Sequence, residues 1–276
     1  MDFSAYGFND YEFSRFRELI AAHTGISIAE NKRELVFGRL SKRLRDLGLN
    51  SFADYRKRLE KGDQAELEQF SNLITTNLTS FFREEHHFDY LRDTLLPELM
   101  RSRSSERRIR IWSAGCSSGE EAYSIAISVL ESSPLLSSWD VKILATDLDS
   151  GMLAHARQGV YRLDRMNGMK RHRLQRWFEK GRGKNEGLVR ANETLRSMIT
   201  FNRLNLIEPW PMKGLFDIVF CRNVVIYFDE PTQTKLFTRF ANQMTDDGTL
   251  FVGHSETLAK VTDKFTLLGK TIYKKV

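Results

Sequence analysis

Apolar residues recur at helical spacing through the first hundred residues, so this part of the chain is predicted to be helical throughout. Asn9 or Asp10 can cap a first helix that ends near Gly25. Ser51 and Asp63 are predicted to cap two further short helices. The apolar face of the first helix comprises Phe13, Phe16, Leu19 and Ile20.

A second helix is predicted over residues 31–47, with Gly48 after it. A solvated surface is the ordinary explanation of its charged face. The one-sided sign makes a docking surface for an acidic partner an equally good interpretation, and the net charge of +6 also implies such a partner. The predicted buried stripe is Leu35, Val36, Leu40, Leu44 and Leu47, and the basic face carries Lys32, Arg33, Arg39, Lys42, Arg43 and Arg45.

From Ile109 onward, short apolar runs alternate with helical stretches, which is typical of an α/β domain. Residues 109–112 suit a buried strand, small residues follow, and Glu120 opens a helix. A strand, a tight turn and a helix can present backbone N–H groups to a nucleotide-like ligand. The turn has only Gly115 and Gly119 of the G-x-G-x-x-G pattern, so nucleotide binding stays open at this point.

Acidic residues near this turn favour a particular kind of ligand. Glu120 and Glu121 would repel a pyrophosphate and attract an ammonium group. The next apolar strand, 141–145, leads to Asp147, which is placed to accept hydrogen bonds from ribose hydroxyls. A ribose with a cationic amino-acid tail describes S-adenosylmethionine better than NAD. The alternative is that the two glutamates only stabilise the start of a helix.

Two other segments are less regular. Residues 75–87, TTNLTSFFREEHH, could contact a ligand through Asn and Thr, but an interdomain connection filled by the Phe pair is the favoured interpretation of the residues alone. Residues 165–180 are basic and helix-like, and a glycine-rich turn occupies 181–187. Residues 188–201 alternate like paired strands around Asn192 and Glu193, which predicts a small antiparallel insert.

Several function classes are excluded by the composition. No apolar run approaches the roughly 18 residues of a membrane span, and the N-terminus has no signal-peptide pattern. Only Cys116 and Cys221 are present, both in apolar surroundings, which suits a reducing compartment such as the cytoplasm. Histidines and cysteines lack ligand spacing, so no metal is expected.

Long, independent motifs make the chain resemble the chemotaxis-receptor glutamate methyltransferases of the CheR type. The resemblance implies an α/β, Rossmann-like, S-adenosylmethionine-dependent methyltransferase domain at 87–276, with a small antiparallel β-subdomain inserted at about 158–202. An all-helical N-terminal domain at 1–86 precedes it. The motifs are TTNLTSFFRE at 75–84, SAGCSSGEEAYS at 113–124, ATDLD at 145–149, EGLVR at 186–190, FDIVFCRNVVIYF at 216–228 and GHSE at 253–256.

The resemblance also implies a reaction: the methyl group passes from S-adenosylmethionine to glutamate side chains on cytoplasmic receptor helices, leaving S-adenosylhomocysteine. Either Glu120 or Glu121 could meet the methionine ammonium, and Glu121 is preferred. The loop at 75–87 is then expected to close over the cofactor and to join the two domains. The family's cofactor contacts fall on Asn77, Thr79, Arg83, Glu121, Asp147, Asn205, Leu206, Arg222 and Asn223.

A glutamate carboxylate, with a pKa near 4.3, is already anionic at neutral pH, so the reaction needs no general base. The site must align the reacting atoms and exclude water. Our hypothesis is that Arg83 and Tyr227 position the substrate carboxylate. Arg83 could instead serve only the cofactor, and Tyr227 could be a packing residue at the end of a strand.

Partners follow from the same resemblance. Acidic receptor helices are expected to dock on the basic helix, and the insert is expected to bind a receptor C-terminal peptide by strand addition, because the loop at 181–187 is similar to the peptide-binding subtype. We expect a monomer, no bound nucleic acid and no membrane insertion. The predicted docking residues are Lys32, Arg39, Lys42 and Arg43.

Three alternatives compete with this interpretation. Residues 115–119 match G-x-S-x-G, with His254 following Ser117, as in serine hydrolases, but no strands precede Ile109 to supply the upstream oxyanion loop. A nucleic-acid methyltransferase of the amino-methylating type would carry N/D-P-P-Y/F where this chain has residues 222–225, RNVV. A non-catalytic receptor-binding module is disfavoured because Glu121, Asp147 and Asn223 are intact.

Overall fold

The computed structural model describes residues 5–166 and 169–276, and the chain forms two compact units. The first unit spans Met1–Thr76 with Tyr227–Thr232, and the second spans Asn77–Ile226 with Gln233–Val276. The division falls earlier than the predicted boundary after residue 86, because Phe82 and other side chains of this segment pack into the core of the second unit. The predicted basic helix-like run at 165–180 crosses residues 167–168, which lie outside the described residues.

The first unit is all-helical, as predicted. Its helices are α1 (Asp10–Thr24), α2 (Arg33–Asp46), α3 (Phe52–Glu60) and α4 (Gln64–Ile74). The side chains of Asn9, Ser51 and Asp63 accept hydrogen bonds from backbone N–H groups in the first turns of α1, α3 and α4. The predicted caps are therefore confirmed. Gly25 ends α1 in the left-handed conformation, with φ +74°.

The core of the first unit is strongly aromatic, and it corrects part of the predicted stripe. Leu35 is 40% exposed, whereas Phe37 is buried. The helical face that packs inward runs through Val36, Phe37, Leu40 and Leu44, so Leu35 lies just outside it. Fully buried aromatic side chains fill the space between the helices: Phe16, Phe52, Tyr55 and Phe70.

The rest of the chain alternates strands and helices. Its helices are α5 (His86–Tyr90), α6 (Leu96–Ser102), α7 (Glu120–Ser132), α8 (Ser150–Gln158), α9 (Arg171–Trp177), α10 (Glu193–Ser197) and α11 (Glu230–Asn242), with a π-helical turn at Leu91–Leu95 joining α5 to α6. Its strands are β1 (Arg108–Ala114), β2 (Asp140–Asp147), β3 (Val160–Arg162), β4 (Phe178–Lys180), β5 (Leu188–Ala191), β6 (Ile199–Arg203), β7 (Phe216–Cys221), β8 (Met244–Val252), β9 (Phe265–Gly269) and β10 (Ile272–Lys275).

Seven strands form one sheet in the order β6-β2-β1-β7-β8-β10-β9. The first five are parallel, and β10 is antiparallel to both β8 and β9. The chain winds from β1 outward through β2 to β6 and then returns to the other side at β7. The strand order therefore reverses between β1 and β7, and ligands of such sheets bind at the carboxyl ends of the strands beside this point.

The insert is a separate three-stranded antiparallel sheet, in the order β3-β5-β4. The predicted strand pair at 188–201 is wrong. Asn192 caps α10 by accepting a hydrogen bond from the Leu195 N–H, and β6 pairs with β2 in the large sheet. The alternation at 199–203 arises because β6 is an edge strand with one buried face, so the insert ends before the predicted residue 202.

No helix in the described ranges is long and apolar enough to cross a membrane.

Candidate active site

The turn after β1 fits closely against its neighbours. Gly115 has φ +92°, and a Cβ there would clash with the Val224 side chain in the loop after β7. Gly119 has φ +96°, and a Cβ there would lie 2.9 Å from the Ala156 Cβ of α8. Both glycines are therefore needed for the conformation and for the close approach. The turn brings the start of α7 against the loops that follow β2 and β7.

Replacing Gly115 by Ala is expected to weaken cofactor binding at least tenfold, because Val224 must move and the loop after β7 moves with it. Gly62→Ala is the matched control, since Gly62 has φ +81° and an added Cβ would meet nothing within 4 Å. Both variants bear the cost of a left-handed Ala, about 1 kcal/mol. Calorimetric titration separates them, and equal affinities in the two variants would contradict the close approach.

Glu121, in the first turn of α7, links the carboxyl ends of β1 and β7. Its Oε1 accepts a hydrogen bond of 2.7 Å from Ser113 Oγ, and its Oε2 accepts one of 3.1 Å from Arg222 Nη1. Burial raises the pKa of Glu121, while the Arg222 guanidinium and the Ser113 hydroxyl oppose that rise. Glu120 bonds instead to a residue of its own turn, accepting from Ser118 Oγ at 2.7 Å. The carboxylate that faces the switch point is Glu121.

Asp147 ends β2 and joins two neighbouring segments. Its Oδ2 accepts from the Ser117 N–H at 2.7 Å, and its Oδ1 accepts from the Asp149 N–H at 2.9 Å. Each carboxylate oxygen can accept a further hydrogen bond, so capacity remains for hydroxyl groups of a ligand. Burial raises the pKa of Asp147, against the effect of these backbone donors. Asn77 reaches the same place, because its Nδ2 donates to Asp149 Oδ2 at 2.8 Å.

The segment from Asn77 to Glu84 is held in a strained conformation. Phe82 and Glu84 both have positive φ, at +53° and +58°. Such residues cost on the order of 1–3 kcal/mol each and persist where the surroundings impose them, often at active sites. Thr79 is partly buried in this segment, and Arg83 Nη1 donates to the Leu78 carbonyl at 2.8 Å.

Arg222 is the buried cation at the end of β7, with 5% exposure. Besides Glu121, it contacts Glu84 through Nη2 at 3.2 Å and donates to the backbone carbonyl of Arg83. Glu84 Oε1 in turn meets His254 Nδ1 at 3.0 Å. Burial alone would raise the pKa of Glu84, but the His254 and Arg222 contacts outweigh it and lower that pKa to about 2. The network ties the Asn77–Glu84 segment to β7.

Glu256 ends the GHSE motif but was not among the predicted site residues. Its buried carboxylate, 4% exposed, accepts hydrogen bonds from the backbone N–H groups of Gly253 at 2.5 Å and Asn223 at 2.8 Å. The N–H groups of Val224 and Val225 donate to it as well, each at 2.9 Å. Asn223 is left-handed, with φ +58°, and Glu256 imposes that conformation. The available signal was a glutamate three residues after the glycine that ends an apolar strand.

The remaining predicted residues lie elsewhere. Asn205 and Leu206 follow β6, where Asn205 Oδ1 accepts from the Ile207 N–H at 3.2 Å and Leu206 is 8% exposed. Tyr227 ends a short 3-10 turn and groups with the first unit, in which its carbonyl accepts from the Ser27 N–H at 2.8 Å. Hydrogen bonds join Asn77 to Asp147 through Asp149, and Asn223 to Glu256. Arg222 pairs with both Glu121 and Glu84.

The hydrolase alternative is not supported by these contacts. Ser117 Oγ donates to the Asn77 carbonyl at 3.3 Å, and the His254 ring contacts Glu84. A serine nucleophile would instead need a histidine base as its partner. No cluster of metal-ligating side chains occurs within residues 5–166 and 169–276.

The donor set fits S-adenosylmethionine. A buried carboxylate suits an ammonium group, and a carboxylate at the end of the second strand suits a ribose. The fold and the site define a Rossmann-like, S-adenosylmethionine-dependent methyltransferase.

Comparison with known proteins identifies the family. Residues 77–274 match the family described as CheR methyltransferase, SAM binding domain, and residues 11–75 match CheR methyltransferase, all-alpha domain. The chain therefore belongs to the CheR methyltransferase family, which confirms the resemblance stated from the sequence. It is 46% identical over 265 residues to chemotaxis protein methyltransferase 2 of Pseudomonas aeruginosa, covering 95% of this chain and 92% of that protein. It is 42% identical over 268 residues to the chemotaxis protein methyltransferase of Escherichia coli, covering 96% and 91%.

Proposed function

We propose that this protein transfers the methyl group of S-adenosylmethionine to glutamate side chains of chemotaxis receptors in the cytoplasm, leaving S-adenosylhomocysteine. The observation that carries the proposal is the buried Glu121 carboxylate at the switch point of a CheR-family methyltransferase. Relatives named chemotaxis protein methyltransferase match more than nine-tenths of the chain, which supports the receptor substrate. The alternatives, a nucleic-acid methyltransferase and a non-catalytic module, are not favoured.

Each predicted cofactor residue has a proposed role. The Glu121 carboxylate accepts hydrogen bonds from the methionine ammonium, since it faces the ends of β1 and β7. The Glu120 carboxylate is instead hydrogen-bonded within its own turn. The Asp147 carboxylate accepts hydrogen bonds from the ribose hydroxyls. The loop residues Asn77, Thr79 and Arg83 cover the cofactor, and the strand-end residues Asn205, Leu206, Arg222 and Asn223 complete the binding site.

The bound cofactor supplies an electrophilic methyl group on its sulfonium. The glutamate carboxylate is already ionised at neutral pH, so the protein need not remove a proton. Its side chains orient the carboxylate oxygen towards the methyl group and exclude water. We assign the positive charge that holds the carboxylate to Arg83, whose guanidinium is partly exposed.

Tyr227→Phe tests the second substrate-positioning residue. We expect a lower kcat with an unchanged S-adenosylmethionine Kd, because the hydroxyl is assigned to the carboxylate and not to the cofactor. Stopped-time methylation assays and calorimetry measure the two quantities. Tyr273→Phe serves as the control, because Tyr273 is a buried residue of β10 whose hydroxyl accepts from the Leu258 N–H. An unchanged kcat in Tyr227→Phe would remove it from the mechanism.

The basic face of α2, together with Lys32 in the 3-10 turn before it, is proposed to steer acidic receptor helices, but these residues differ in their contacts. Lys32 and Lys42 are exposed. Arg43 pairs with the buried Glu66 through Nη2 at 2.6 Å and Nε at 2.9 Å, and Arg39 Nη1 donates to three carbonyls at the end of α4. Arg39 and Arg43 therefore also stabilise the helical unit, and the lysines are the cleaner test of docking.

The variant Lys32→Glu with Lys42→Glu is expected to raise the receptor KM and flatten its salt dependence, with a stability change within about 0.5 kcal/mol. Arg43→Ala should instead destabilise the protein by up to about 3 kcal/mol, because the buried Glu66 loses its charged partner and retains the neutral Tyr55 hydroxyl. Methylation kinetics at several salt concentrations and thermal unfolding distinguish the two effects. A receptor KM unaffected by both glutamates would contradict docking on α2.

A receptor C-terminal peptide is proposed to bind the insert. A groove of about 390 Å³ lies on the three-stranded sheet. It includes residues of both edge strands, β3 and β4, and an edge strand has unpaired backbone groups that can bind an added strand. The groove lining comprises Gln158, Val160, Glu179, Lys180, Gly181, Asn185, Leu188, Val189 and Arg190.

Methyl transfer from labelled S-adenosylmethionine to receptor-containing membranes tests the proposed function. We expect label on the receptor that is released by mild base, since a carboxyl methyl ester hydrolyses and a methylated amine does not. Receptors with Gln in place of the modified Glu residues are the control and should take no label. Base-stable label, or label on nucleic acid, would overturn the proposal.

A further inference from the structure

A buried arginine of the insert contacts the proposed cofactor loop. Arg173, in α9, is 3% exposed and pairs with Glu131 of α7, with Nη2 at 2.7 Å from Oε2. Its guanidinium carbon lies 4.1 Å from the centre of the Phe82 ring. Glu131 also accepts from Trp177 Nε1 at 3.1 Å, and Glu85 lies 3.7 Å from Arg173 Nη1. A desolvated guanidinium that is both paired and stacked is a rigid element.

Phe82 needs such support because its backbone is left-handed, with φ +53°. The Phe82 N–H donates to Ser124 Oγ at 3.0 Å, and its ring meets Phe88 edge to face at 5.3 Å. A bulky residue in this conformation persists only where its surroundings impose it. The next residue is Arg83, whose carbonyl accepts from Arg222. The position of Phe82 therefore determines where Arg83 and its contact with Arg222 lie.

The insert also contacts the aromatic ring of Phe81, the residue before Phe82. Phe81 packs edge to face against Tyr161 at 4.9 Å and against Phe178 at 5.4 Å. Tyr161 belongs to β3 and Phe178 to β4, so both edge strands of the insert and its helix α9 contact the Phe pair. The insert thus forms a wall of the loop that carries Asn77, Thr79 and Arg83.

We infer that Arg173 is a positioning residue for S-adenosylmethionine binding, which acts by holding Phe82 and through it the loop at 77–84. The inference rests on the cofactor role proposed above for that loop. It gives the insert a function in the methyltransferase site in addition to the capture of a receptor peptide. Lys would keep the charge near Glu131 but has neither the planar stack nor the fork of donors.

Arg173→Met is expected to raise the S-adenosylmethionine Kd about tenfold, and Arg173→Lys should raise it less. Arg173→Met also leaves the partly buried Glu131 without its charged partner, which lowers stability. The double variant Arg173→Met with Glu131→Met removes both charges, so stability should recover while the Kd stays raised. Arg176→Met is the control on the same helix, because the exposed Arg176 stacks on Trp177 at 4.6 Å and not on Phe82.

Calorimetry gives the Kd of the folded protein, thermal unfolding gives its stability, and kinetics separate KM from kcat. A merely structural role would lower the melting temperature and leave the Kd unchanged. Wild-type affinity in the double variant and in Arg173→Lys would overturn the inference. Arg83→Ala shows which proposal fails: if it weakens binding and the Arg173 variants do not, only the inference is wrong, and if it too has no effect, the cofactor role of the loop is wrong as well.

Discussion

Glu256→Gln is expected to destabilise the protein by about 3 kcal/mol and to reduce methyl transfer at least a hundredfold. The carboxylate accepts hydrogen bonds, 2.5 to 2.9 Å long, from four backbone N–H groups. The donors are Gly253, Asn223, Val224 and Val225. An amide presents one oxygen and one NH₂ group, so some of these donors would face another donor. Hydrogen bonds to a charged acceptor contribute about 1.5–3 kcal/mol each, and a buried donor without an acceptor costs a similar amount.

The loss of activity should exceed the loss of folded protein, because the same carboxylate holds Asn223 in its left-handed conformation. Thermal unfolding gives the stability, and S-adenosylmethionine affinity is measured below the melting temperature. Glu98→Gln, an exposed substitution of α6, is the control and should match the wild type. Wild-type affinity in Glu256→Gln would contradict the role given to this carboxylate.

Glu121→Gln is expected to raise the S-adenosylmethionine Kd by ten- to a hundredfold, since a charge-assisted hydrogen bond to the ammonium contributes about 1.5–3 kcal/mol. The substitution also removes the anion beside the buried Arg222, so Arg222 retains Glu84 as its charged partner. Replacing the neighbour, Glu120→Gln, should change the Kd much less, because Glu120 bonds Ser118. Calorimetry on both variants decides between the two glutamates. A larger effect in Glu120→Gln would reverse the assignment.

Local signals in the sequence were sufficient for much of the fold. The helix caps at Asn9, Ser51 and Asp63 depend on residues within the same turn, so they are readable without tertiary information. The parallel sheet follows from apolar strands that alternate with helices. The edge strand β6 could not be separated from a hairpin, because half-buried strands alternate in the same way in either sheet.

Some residues of the site were likewise predictable from the sequence, and others were not. Asp147 ends β2 and Glu121 lies in the first turn of the helix after β1, so their position at the carboxyl edge of the sheet was predictable. The role of Glu256 depends on backbone groups some thirty residues away, as the contact with Asn223 shows. Arg39 and Arg43 form hydrogen bonds with residues of α4. The pattern of the second helix alone does not show these contacts, so it presented both guanidinium groups as available to a receptor.

The most direct test of the central claim is a crystal structure of the protein with S-adenosylhomocysteine. The predicted result places the amino group within hydrogen-bonding distance of Glu121 and the ribose hydroxyls on Asp147, with the loop at 77–84 against the nucleoside. A nucleoside bound away from the carboxyl ends of β1, β2 and β7, or an amino group on Glu120, would contradict it.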